Sequence, residues 1–261
     1  MILKDLKDAW AAGSDDNIGI VAAGIAHYAL LALVPALGAM VLAYGLIADP
    51  DTVARHIQLL AQNLPQSASG VIVDQLERIT SGEQSAKGAG LLVSLGVALF
   101  GARKGAGALL TGLNIAFHAE DDRGFVKSNL AALAITAGGI LLLIAIGIAS
   151  AALAGLPGFL GGLAGLLVTG GAACGAAALL YRYAPNAPAP LWPDVWPGAA
   201  LFAASWLAAS AAFAVYAANF GSYNATYGAL GAVVALITWF WATGFLLLLG
   251  AELVTMRRRA R

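Results

Sequence analysis

Apolar runs long enough to cross a bilayer alternate along the chain with short polar punctuation. The first run, Ile18 to Ala48, contains no Asp, Glu, Lys or Arg. Pro35 lies inside it and predicts a kink, which a membrane helix tolerates when neighbours satisfy the freed carbonyl. Asp49-Pro50 ends the run as a cap followed by a first-turn proline. In the second run, Gly88 to Phe117, the only charged residues are Arg103 and Lys104. At 1.5 Å per residue it is about 45 Å long, more than the roughly 30 Å hydrocarbon core, so it reads as one tilted or protruding helix. Four more spans are predicted at 128–153, 159–181, 198–219 and 229–254. Gly155-Leu156-Pro157-Gly158 makes a turn, and the prolines from Pro185 to Pro197 predict an extended loop. Trp192 and Trp196 in that loop suit a membrane interface.

Two segments have a different pattern. Between Met1 and Ala12, Ile2, Leu3, Leu6, Ala9 and Trp10 recur at helical spacing against Lys4, Asp5, Lys7 and Asp8, as in a helix lying in the interface. Within 51–81, Val53, Ile57, Leu60 and Leu64 share one helical face, and Ile72, Leu76 and Ile79 share another. Neither stretch is apolar enough to span, so the first reads as an interfacial helix and the second as two amphipathic helices outside the bilayer, packed on its surface or capping the bundle. The expected fold is all-α: a polytopic membrane protein with about six transmembrane helices, an interfacial N-terminal helix and two amphipathic extracytoplasmic helices, in a single membrane domain over 1–261.

Composition agrees with that pattern. Hydrophobic residues make up 60% of the 261 and charged residues 11%, with a mean hydropathy of +0.81. A soluble domain is about 45–50% apolar and about 25% charged. A soluble enzyme and a disordered chain are thereby excluded. Lys plus Arg balance Asp plus Glu at 14 each, so no basic surface for nucleic acid is expected. The single cysteine, Cys174, excludes an intramolecular disulfide and a cysteine metal cage.

Six spans put both termini on one side. With that side inside, Lys4, Lys7, Arg123, Lys127, Arg182, Arg257, Arg258, Arg259 and Arg261 are cytoplasmic, and Arg55, Arg78 and Lys87 are outside. The positive-inside rule therefore predicts cytoplasmic termini.

The chemistry is sparse. His27, His56 and His118 fall in a span, an outside helix and a cytoplasmic loop, so they cannot converge as a hydrolytic site needs. No phosphate-binding loop, nucleophile elbow or zinc-protease motif occurs, and no cofactor is expected. An ionisable residue inside a membrane is a functional candidate because its insertion is costly. Arg103 and Lys104, between Gly101 and Gly105, either face a polar cavity and hold an anionic head group or snorkel to inner-leaflet phosphates. His27 is a proton or head-group contact or a packing residue, and Tyr28 can supply a hydroxyl to the bundle. Asn114 and Glu252 fall near the cytoplasmic ends of their spans. Their similar depth allows a hydrogen bond between the two spans, with a proton-coupling or gating carboxylate as the alternative. Trp239, at mid-span, packs in the bundle or lines a cavity.

Ala26 to Pro35, Leu113-Asn114, Tyr181 to Pro185 with the proline loop, Tyr227-Gly228 and Leu249-Gly250-Ala251-Glu252 occur in an order that resembles the YihY, or BrkB-like, family of bacterial inner-membrane proteins. The resemblance implies a six-helix inner-membrane protein. Members have been labelled ribonuclease BN, virulence factor or transporter, and some are linked to export of envelope lipid. The expected function is translocation or export of an amphipathic anionic envelope lipid, with membrane lipids as partners. The alternative is a scaffold that docks an envelope protein through the extracytoplasmic helices. The ribonuclease label finds no support in the residues.

Overall fold

The computed structural model describes residues 2–47, 84–120, 122–153, 155, 157–219 and 229–259. All regular structure among them is helical: α1 Ile2–Asp15, α2 Ile18–Ile47, α3 Gln84–Ala116, α4 Phe125–Leu153, α5 Gly158–Tyr183, α6 Trp192–Asn219 and α7 Ala229–Arg259. The protein is an all-α polytopic membrane protein. Over the described residues α4, α5, α6 and α7 are each long and apolar enough to cross a bilayer, and the bent pair α1–α2 adds a fifth if it counts as one span. The spans expected at 18–48 and 88–117 correspond to α2 and α3. The cations Arg103 and Lys104 lower the apolar character of α3, which is not among the four. The segment 51–81, expected as two amphipathic helices, lies outside the described residues.

One boundary differs from expectation. The proline loop is extended only to Leu191, and α6 starts at Trp192 with Pro193 and Pro197 inside it. The Leu191 carbonyl accepts the amides of Asp194 (2.9 Å) and Val195 (3.2 Å) and so begins the helix. Pro193 sits in the first turn, where its missing N–H has no intrahelical partner to lose. Pro197, one turn further on, gives up a single backbone bond.

The chain divides into two units, Met1–Leu30 with Arg103–Arg261, and Leu31–Ala102. In the second, Gly101 lies against the backbone of Ala32, 2.9 Å from where its own Cβ would stand. In the first, α7 packs on α6 and α1, α5 packs on α6, and α4 packs on α5. The core gathers at the end where the termini meet: Ile18, Leu110, Leu113, Tyr181, Val195, Leu248 and Val254 are all buried there. Arg257 and Asp5 pair at 3.4 Å and bring the two ends of the chain together. By contrast α4 exposes Leu130, Leu133, Ile140, Leu141, Leu143, Ile144 and Ile148, as a lipid-facing helix does.

Candidate functional site

Two unusual backbone positions build the end of the bundle that holds the termini. Asn17 (φ 54°) and His118 (φ 47°) are the non-glycine residues with positive φ among those described. At Asn17 the chain bends by 70° from α1 into α2. Asn tolerates the left-handed region better than most residues. Its carbonyl accepts the amides of Ile20 (2.9 Å) and Val21 (3.2 Å) and so starts α2. Asp16 is thereby fixed in the elbow.

His118 closes α3. Its amide bonds to the Ile115 carbonyl (2.8 Å), and the Ala119 amide bonds to the Asn114 carbonyl (2.9 Å). This is a Schellman ending, whose left-handed position is usually glycine. Here the position carries an imidazole, with Nδ1 3.5 Å from Asp16 Oδ2.

Glu252 of α7 is fully buried beneath this corner. Neither carboxylate oxygen meets a hydrogen-bond donor. A Cβ placed on Gly13 of α1 would stand 3.6 Å from Glu252 Cγ, so α1 lies directly over it. The charged groups acting on it are Asp16 and Arg259. One turn on, the Thr255 hydroxyl is within reach of the Ala116 carbonyl (3.0 Å) and the Ala251 carbonyl (3.1 Å), and so serves a backbone acceptor at the end of α3.

Asn114, also buried, does not form the expected hydrogen bond with Glu252. Its Oδ1 instead accepts the Asn186 amide (2.8 Å) and the Arg123 guanidinium (3.4 Å). Arg123 also donates to the Ala184 carbonyl at 3.0 Å, and Asn186 Nδ2 donates to the Glu120 carbonyl at 2.9 Å and to the Asp122 carboxylate. The proline loop folds back over the end of α3 and takes Asn114 as its anchor. Similar depth in two spans said nothing about that competing partner.

The other candidates are dispersed. Arg103 is half-buried and donates to the Asn129 side chain at the start of α4, while the adjacent Lys104 is exposed on another face of α3. His27 is exposed, with its ring edge-on to Tyr28 at 5.6 Å. Pro35 lies within α2, but its side chain falls outside the described residues, as do Tyr227 and Gly228 altogether. Trp239 lines a groove of about 410 Å³ between α6 and α7, with Trp206, Phe213, Tyr216, Thr238 and Thr243. Its indole donates to Ser210 (3.2 Å) and that of Trp206 to Thr243 (3.1 Å). Where α5 ends and α6 begins, Arg182 lies over the Trp192 ring at 4.7 Å and donates to the Pro190 carbonyl, and Trp192 stacks on Trp196.

Sequence reasoning missed Asp16 and treated His118 as a loop residue. The available signal was Asp-Asp-Asn just before a long apolar run, which marks a helix end and a new start. Nothing in the pattern says that α1 folds back on α7.

These features define a polytopic α-helical membrane protein with a buried glutamate beside a partly buried aspartate at one end and an aromatic groove along its bundle. The chain belongs to the family described as Virulence factor BrkB, which it matches over residues 9–261. It is 30% identical over 248 residues to the YfkH protein of Bacillus subtilis, named ribonuclease-like, covering 88% of this chain and 86% of that protein. It is 28% identical over 253 residues to a UPF0761 membrane protein of Alteromonas mediterranea, covering 91% and 82%. No solved structure matches.

Proposed function

We propose that this protein is a transporter of an amphipathic, anionic envelope lipid, seated in the bacterial inner membrane with both termini in the cytoplasm. The α6–α7 groove carries the reading. It is apolar and aromatic, with two threonine hydroxyls among its walls, and its volume of about 410 Å³ lies in the ordinary range for small-molecule sites. Such a groove suits an acyl chain. Arg103 offers an anionic head group a five-donor fork, and Asn129 engages one arm of it. The orientation is supported by Arg257, Arg258 and Arg259 in the last turn of α7, beside the N-terminal helix.

RNA cleavage is not proposed. Among the described residues no group of three or more His, Cys, Asp or Glu is placed to hold a metal ion. The scaffold alternative depends on 51–81, outside the described residues.

The test is lipid capture. Protein extracted into native-membrane nanodiscs should carry anionic lipid in excess of its share of the membrane, read by mass spectrometry. A phosphatidylglycerol with a photoreactive acyl chain should label α6 and α7 at the groove, and Ala209→Trp, which fills it, should abolish that labelling. Labelling spread evenly over the lipid-facing helices and unchanged by Ala209→Trp overturns the proposal.

A further inference from the structure

Three acidic or basic side chains form a line from the interior to water. Glu252 is fully buried, the Asp16 side chain is 20% exposed and the His118 side chain is 39% exposed. We propose that Glu252, Asp16 and His118 form a proton-binding site with its own path to the water at the face that carries the termini. Glu252 and Asp16 share the bound proton, and His118 exchanges it with solvent.

The hydrogen-bond pattern is the first argument. A buried carboxylate ordinarily collects donors, because leaving it without them is costly. Glu252 has none, and its neighbour Asp16 is another acceptor, with Oδ2 buried and without a hydrogen-bond partner. Two carboxyl groups satisfy each other only through a proton held between them. The cations nearby do not replace that proton. Arg257 of α7 is engaged with Asp5 of α1 at 3.4 Å, and Arg259 of α7 acts on Glu252 as a charge without a hydrogen bond to it. The further titratable base at this corner is His118, just past the end of α3, with Nδ1 3.5 Å from Asp16 Oδ2. A metal ion is a poorer occupant, since no three acidic or imidazole groups among the described residues converge as ligands.

The second argument is His118 itself. Its backbone is left-handed, where glycine would be free of strain, so the imidazole is kept at a cost. It is the one imidazole at this corner, able to donate from one ring nitrogen and accept at the other, and it is more exposed to water than Asp16. The exchange balances simply. The imidazolium gives its Nδ1 proton to Asp16 Oδ2, and Asp16 passes a proton to Glu252. Water then re-protonates the neutral ring. One proton leaves the water and one positive charge enters the site. A small side-chain rotation suffices to turn the 3.5 Å approach of His118 to Asp16 into a hydrogen bond. The inference does not rest on the lipid reading, since proton binding is measurable with no substrate present.

The experiment is infrared difference spectroscopy of the whole protein in vesicles of phosphatidylethanolamine and phosphatidylglycerol, taken across a pH step. A protonated-carboxyl stretch should appear in the wild type, vanish in Glu252→Gln and shift in Asp16→Asn. His118→Ala should keep that band but slow its hydrogen–deuterium exchange by on the order of a hundredfold, the low end for a positioned proton-transfer group. If Glu252→Gln does not fold, the shift in Asp16→Asn decides alone. A wild-type spectrum without a titrating carboxyl band, or a band indifferent to both carboxyl substitutions, overturns the site. Unchanged exchange in His118→Ala overturns the path.

Discussion

The Tyr181 hydroxyl donates a 2.7 Å hydrogen bond to the carbonyl of Leu247, across the junction of α5 and α7. It does so because Gly250 leaves room: a Cβ there would collide with the Tyr181 hydroxyl and stand 2.8 Å from the Gly198 carbonyl. Gly198 of α6 in turn meets the Gly250 carbonyl directly. Small residues let helix backbones approach closely in a membrane, where apolar burial no longer drives helices together. Tyr181→Phe should therefore cost about 0.5–1.5 kcal/mol, the net worth of one hydrogen bond. Gly250→Ala and Gly198→Ala should cost more, because a backbone atom cannot move aside as a side chain does. Adding Tyr181→Phe to Gly250→Ala should give at most partial rescue, since the Gly198 carbonyl remains. Thermal unfolding in detergent orders the four variants, and full rescue would contradict the crossing described here.

Asn114 holds the proline loop, so its loss should act on that loop. Asn114→Leu leaves the half-buried Asn186 amide without its acceptor and should cost about 0.5–1.5 kcal/mol. Asn114→Asp keeps the acceptor and places a charge beside Arg123, so it should be the milder change. Hydrogen exchange of the Asn186 amide is the specific readout. It should accelerate in Asn114→Leu and stay protected in Asn114→Asp.

The helices were largely legible in the sequence. The predicted start at Ile18 coincides with that of α2, and the predicted spans at 128–153, 159–181, 198–219 and 229–254 each lie within one helix, α4 to α7. Apolar run length determines these bounds, because a chain in lipid must satisfy its backbone within the helix. The run of prolines predicts a loop up to Pro197, but Pro193 sits in the first turn of α6 without cost and Pro197, a turn further on, forgoes one backbone bond inside the helix. The acidic corner was not legible at all. Asp16, His118 and Glu252 are separated by more than a hundred residues at each step. What brings them together is two left-handed residues and the packing of α1 on α7, and neither leaves a periodic signature.

His118 offers a separable test of strain and chemistry. His118→Gly removes the imidazole and relaxes the backbone, whereas His118→Ala removes the imidazole and keeps the strain. The glycine variant should be the more stable of the two by about 1 kcal/mol, the cost of a left-handed L-residue. Relative to wild type it should be close to neutral or slightly stabilised, since a partly exposed polar contact such as His118 to Asp16 contributes only about 0–1 kcal/mol. Denaturation in detergent measures both differences. Equal stability of the two variants would show that the ending of α3 is not strained.

Arg103 and Asn129 separate a helix tie from a ligand site. The pair links α3 to α4, and side-chain hydrogen bonds between membrane helices average about 0.6 kcal/mol. Asn129→Ala should therefore lower thermal stability slightly and leave the co-purified lipid unchanged, because the guanidinium remains. Arg103→Lys should do the reverse. An ammonium can still donate to the Asn129 side chain, so the helices stay tied, but the planar fork that grips a phosphate bidentately is gone. The anionic lipid retained through purification should fall while the unfolding temperature holds. Stability and lipid content, measured on the same preparations, give each variant two coordinates. If Arg103→Lys retains wild-type lipid and Arg103→Gln matches Asn129→Ala in both coordinates, Arg103 serves only the α3–α4 contact and the head group must be sought elsewhere.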